Sequence, residues 1–133
     1  MEKKLVNPEG VFKPWGYHHA VTIEGPTRLI FLSGQVARDH DGKLIRGDLA
    51  AQTRQANRNL IAVLAGVGAK PADVVKLTTF VVGLKPENRK VVLDIRDEFF
   101  GRDSLPASSL IGVEALAEAG MLVEIEAIAA VPA

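Results

Sequence analysis

The segment Met121 to Val131 sets the tightest limit on what this chain can fold into. Its residues alternate, with Met121, Val123, Ile125, Ala127 and Ala129 on one face of an extended strand and Leu122, Glu124, Glu126, Ile128 and Ala130 on the other. Both carboxylates therefore point the same way, and acids inside an otherwise apolar strand are costly unless something uses them. Two readings of the pair stand. In one, the carboxylates face solvent or sit in ion pairs, the usual fate of acids on strands. In the other, one is partly buried and exchanges a proton with a bound water.

The rest of the chain supplies partners for such a strand. Val11 to Gly16 reads as a lead-in loop, and Tyr17 to Ile23 as a strand that turns at Glu24-Gly25-Pro26-Thr27 into the apolar run Arg28 to Ser33, predicting a hairpin. Arg38 to Lys43, with Asp41-Gly42 inside it, is a turn. Asp48 suits a helix N-cap, and Leu49, Ala56, Leu60, Val63, Leu64 and Val67 recur at helical spacing until Gly68 and Pro71 end the pattern. The polar run Gln52 to Arg58 reads as the solvated face of that helix. Val74 to Leu84 is a predicted strand, and Pro86 opens a second helix with Val92, Ile95, Arg96 and Phe99 on one face before Gly101. Ser108 to Leu116 adds a further strand. The order ββαβαββ gives one α+β domain over 1–133, with two helices on one face of a sheet.

Composition narrows the function. Sixteen basic residues balance sixteen acidic ones, so no global field draws in nucleic acid or anionic membrane. The chain has no cysteine, hence no disulfide and no thiolate chemistry. No stretch has the apolar length of a signal peptide or a spanning helix, and the expectation is a soluble, cytoplasmic protein. His18 and His19 are neighbours that a strand points to opposite faces, and His40 sits in a distant turn, so no metal site is expected. Gly66-Val67-Gly68 follows a helix rather than a strand and is no phosphate loop. No Gly-x-Ser-x-Gly elbow is present for nucleophilic catalysis.

Four segments taken together carry a resemblance: Ser33-Gly34-Gln35 after an apolar strand, Gln52 to Leu60 on a helix, Pro106 to Val113, and Leu122 to Ala129. In that order the chain, from about Tyr17 to Ala130, resembles the Rid family of reactive-intermediate (enamine/imine) deaminases, also called YjgF-like and endoribonuclease L-PSP. The resemblance implies a chorismate-mutase-like α+β fold, a homotrimer and three clefts between subunits that hold a small-molecule ligand without a cofactor. Glu124 matches the family acid that positions the hydrolytic water, with Glu126 as a structural partner. Tyr17, Ser33, Gly34, Leu93, Ser108 and Ser109 match positions that line the cleft. Tyr17 and Ser33 also suit the capping of strand ends, and Gly34 the turn alone.

One departure bears on activity. In deaminating Rid proteins an arginine follows Pro-Ala and clasps the substrate carboxylate through two parallel hydrogen bonds, whereas here Ser108 follows Pro106-Ala107. Losing such a clasp weakens carboxylate binding by roughly a few kcal/mol. Leu110 stands at the family's cysteine position, and the segment before Glu124 is one residue longer, which implies a drier, differently shaped pocket. Arg96 is either a substitute cation or a surface arginine paired with Asp97 or Glu98. Three functions follow: a hydrolase of an enamine, imine or related metabolite less acidic than the family's usual substrate; a non-catalytic trimeric small-molecule binding or interaction protein; and, against the neutral charge, a ribonuclease.

Overall fold

Segments rich in Val, Ile, Thr and Phe become strands in the computed structural model, which describes residues 1–133. The strands are β1 (Glu2–Val6), β2 (Ala20–Glu24), β3 (Thr27–Gln35), β4 (Val74–Val82), β5 (Ala107–Val113) and β6 (Val123–Pro132); the helices are α1 (Leu49–Gly66) and α2 (Pro86–Phe100). The main sheet has the order β3-β6-β4-β5 and is mixed. Strand β6 runs antiparallel to both β3 and β4, while β5 runs parallel to β4. Parallel neighbours need a crossover, and α2 supplies it.

Alternation along the strands sorts the side chains as expected. Ile30, Leu32, Leu77, Val81, Val123, Ile125, Ala127 and Ala129 share one core with Ala56, Leu60 and Leu64 of α1 and Val92 and Phe100 of α2. Both helices thus cover the same sheet face. Burying a leucine as fully as Leu60, Leu64 or Leu77 stabilises the fold by about 1.5–3 kcal/mol each. On the open face, Leu29 is 53% and Phe31 73% exposed.

Local chemistry sets the helix limits. The Asp48 carboxylate accepts from Ala51 N at 2.8 Å, capping α1. Gly68, at φ 76, turns the chain out, and Ala69 N donates to Leu64 O at 2.9 Å. Pro86 occupies the first turn of α2, where no amide is missed. No helix is long and apolar enough to cross a membrane.

Three expectations are corrected. The predicted hairpin does not form: β2 pairs with β1, Glu24 opposite Glu2 and Ala20 opposite Val6, while β3 pairs with β6. The lysines of Glu2-Lys3-Lys4 obscured β1 in the sequence. Strand β2 also starts at Ala20 rather than Tyr17, because His18 bridges Ala107 at the edge of β5 and donates its N–H to Pro106 O at 3.2 Å. Finally, the run Gln52 to Arg58 is not a solvated face, since Gln52, Thr53 and Asn57 are buried. Gln52 ties α1 to the approach to β6: its Nε2 donates to Gly120 O at 2.8 Å and its Oε1 accepts from Leu122 N at 2.9 Å.

Candidate active site

The pairing of β3 with the last strand, β6, shapes the first half of the site. Pairing of β3 with β6 runs in step from Thr27 opposite Pro132 to Leu32 opposite Ala127, and resumes with Gln35 opposite Ile125. Three steps on one strand against two on the other make a bulge at Ser33-Gly34. The bulge sets Gly34 directly against Glu124, so that a Cβ at Gly34 would lie 2.6 Å from Glu124 Oε1 and 2.8 Å from its Cγ. Glycine is required here for close approach, not for backbone freedom, because Gly34 is not among the positive-φ glycines.

Glu124 is half-buried on the open face, opposite Phe80 of β4. No ion pair engages it or Glu126. The alternation argument holds, since both acids leave the same face. The expectation that Glu126 is a structural partner does not: Glu126 is exposed and lines a cavity of about 220 Å³ with Phe31, Lys76, Thr78 and Ile128. No cation of the chain therefore competes with a ligand for the Glu124 carboxylate.

Ser108 and Ser109 separate. Strand β5 pairs with β4 so that Ser108 lies beside buried Leu77 and Ser109 beside Thr78, and side chains beside each other on parallel strands share a face. Ser109 is therefore on the open face, its Oγ accepting from Lys76 Nζ at 2.7 Å. Ser108 faces the helices, as does Leu110, which packs on the core.

Tyr17 and Leu93 lie elsewhere again. The His18 bridge holds Tyr17 beside the start of β5, where it lines a cavity of about 230 Å³ with Lys13, His18 and Arg102. Leu93 lines an adjoining cavity of about 320 Å³ with Trp15, Arg96, Asp97 and Arg102. Gly16, Arg102 and Leu105 belong to both. One chain thus divides the expected cleft residues into two groups. Ser33, Gly34, Glu124 and Ser109 stand on the open face, whereas Ser108 turns to the helix side, where Leu93 stands midway along α2 and Tyr17 beside the start of β5.

Arg96 is paired with Asp97 as the plainer reading holds, but it is not a surface residue, being 7% exposed. His18 Nδ1 and His19 Nε2 meet the carbonyls of Leu105 and Phe12, each at 2.6 Å, so the rings engage different segments. Sequence reasoning missed Gly16 and Arg102. Only the adjacency of Arg96 to Asp97 hinted at a charged cluster there.

Comparison with known proteins gives a consistent result. The family model described as Endoribonuclease L-PSP matches residues 13–131. A RutC family protein of Pyrococcus abyssi is 33% identical over 97% of this chain and 98% of its own length. The human 2-iminobutanoate/2-iminopropanoate deaminase is 32% identical over 85% of this chain and 78% of its own. Among solved structures, the Rid family protein YyfB of Yersinia pestis, described as of unknown function, is 42% identical with a TM-score of 0.86, covering 98% of this chain and all of that one.

Proposed function

The chain belongs to the endoribonuclease L-PSP family, the Rid proteins, and on that premise we propose that it hydrolyses small imines or enamines in clefts between the subunits of a homotrimer. The observation that carries this reading is Glu124, unpaired and seated on Gly34 at a bulge of the open sheet face.

Glu124 takes a proton from water as the water oxygen bonds to the imine carbon. The proton passes to the nitrogen to give a carbinolamine; the carboxylate then takes the hydroxyl proton and delivers it to the nitrogen as the carbon–nitrogen bond breaks, which leaves a carbonyl and ammonia and restores Glu124 as a carboxylate. An enamine enters the same sequence after protonation on carbon. Proton transfer by a placed carboxylate contributes about 10²–10⁴-fold to such a reaction.

A trimer supplies what one chain lacks. Leu29, Phe31 and Ile111 form an exposed apolar face that a lone chain leaves in water. Packing copies on that face covers it, and lets Tyr17, Leu93 and Ser108 of one copy approach Glu124 of the next. Ser108 cannot clasp a carboxylate in two parallel bonds, so the preferred substrates are less acidic than imino acids.

The test is ammonia release from a panel of neutral imines and enamines, alongside imino acids derived from serine and threonine. Turnover of neutral compounds with little on imino acids is expected, and Ser108→Arg is expected to raise the latter. Robust wild-type turnover of imino acids would refute the role of Ser108. If every compound that binds remains intact, the protein is a binding module instead. RNA cleavage gains little support from a chain of zero net charge.

A further inference from the structure

The turn that begins at Arg38 and the approach to β6 enclose a groove that imine hydrolysis leaves unused. Its volume is about 750 Å³, and it lies between the segment Arg38 to Arg46 and the side chain of Glu118. Both walls are fixed in the free chain. Arg38 bridges Leu44, Asp39 N donates to Lys43 O at 2.9 Å and Ile45 N to Ala37 O at 2.7 Å, so the turn is a miniature hairpin. Ala37, Leu44 and Met121 are buried together in a small core of their own, which joins this hairpin to the approach to β6. Asn59 of α1 holds it as well, its Nδ2 donating to Val36 O at 2.9 Å and to Arg38 O at 2.8 Å. Walls already in place spare a ligand the cost of ordering them.

The carboxylates of the groove are engaged, and two of its three cations are not. Asp39 Oδ1 accepts from the amides of Asp41 and Lys43, both at 2.9 Å, and Glu118 Oε2 pairs with Arg38. Arg46 and Lys43 belong to no ion pair. Arg46 is nonetheless seated: its guanidinium lies over Gly120, where a Cβ would fall 2.4 Å from Nη1. Gly120, at φ 94, thus serves the turn and this close approach together. A guanidinium fork beside an ammonium suits a phosphate, whose oxygens accept from both. Glu118 Oε1 and Asp39 Oδ2 make no hydrogen bond within the chain, so each can accept from a hydroxyl. No aromatic side chain lines the groove, so nothing there stacks on a nucleobase.

We propose that this groove binds a phosphorylated polyol such as a sugar phosphate, its phosphate on Arg46 and Lys43 and its hydroxyls on Glu118 Oε1 and Asp39 Oδ2. The site goes beyond the hydrolysis proposed at Glu124 and shares no residue with the cleft, since Tyr17, Ser33, Gly34, Leu93, Ser109 and Glu124 all lie outside its walls.

Isothermal titration calorimetry of the intact protein tests it with glucose 6-phosphate as the probe. A saturable isotherm is expected, with glucose giving none over the same range and both inorganic phosphate and adenosine monophosphate binding more weakly. Arg46 is exposed, so Arg46→Gln is expected to fold as the wild type does and to weaken glucose 6-phosphate on the order of tenfold, the loss of one charge-assisted contact. Lys43→Gln, also at an exposed position, is expected to weaken it in the same direction. Glu124→Gln is expected to leave this binding unchanged while lowering turnover, so the two readings fail separately. Absence of saturation, equal binding of glucose, tighter binding of inorganic phosphate or adenosine monophosphate, or unaltered affinity in Arg46→Gln would each overturn the proposal.

Discussion

Gly34 lies against Glu124, and that contact makes a sharp prediction at the residue scale. The backbone at Gly34 accepts any residue, so alanine there adds no strain and reduces the freedom of the unfolded chain, a gain of about 0.4–1 kcal/mol where nothing clashes. Its Cβ nevertheless falls within 2.8 Å of three Glu124 atoms. Gly34→Ala is therefore expected to retain the native circular dichroism while turnover falls at least tenfold, because the carboxylate must move. Unchanged turnover would show that the seat of Glu124 is irrelevant to the chemistry. The direction of Glu124 was legible in the sequence through simple alternation. Its contact with Gly34 was not, because a bulge is a property of pairing between distant strands and leaves no local mark. For the same reason Ser108 and Ser109 read as one lining segment, although the register of β5 on β4 sends them to opposite faces.

At the scale of elements, α1 does more than cover the sheet. Gln52 fastens the turn at Gly120 and the amide of Leu122 to the helix, and so fixes where β6 begins and where Glu124 emerges. Gln52→Ala removes both bonds and strands buried partners at about 1–3 kcal/mol each. Chemical denaturation is expected to show a loss of about 2–4 kcal/mol, and a loss under 1 kcal/mol would deny the clamp. Helix positions were legible because apolar spacing, Asp48 and Pro86 are local signals. The burial of Gln52, Thr53 and Asn57 was not, since polarity alone does not reveal a partner across the fold. The hairpin failed on similar grounds: turn chemistry at Gly25-Pro26 marks a reversal but does not say that the flanking strands pair with each other.

For the whole molecule, the open sheet face carries the argument for assembly. Phe31, exposed by 73% at the centre of β3, has no fold-related reason to be apolar in an isolated chain. Light scattering at micromolar concentration is expected to give three times the chain mass, and Phe31→Asp to give the single chain mass with the helices intact. A monomeric wild type would remove the shared cleft, and with it the meeting of Tyr17 and Leu93 with Glu124. Family and fold were legible through four short segments in order, whereas the division of the cleft residues between two places on one chain required the structure. The account as a whole stands on proton transfer by Glu124, and Glu124→Gln isolates it by keeping shape and hydrogen bonding while removing the base. On any imine or enamine that the wild type hydrolyses, steady-state kinetics is expected to show kcat lower by a factor on the order of a hundred with KM little changed; a variant that turns over at the wild-type rate would contradict the account.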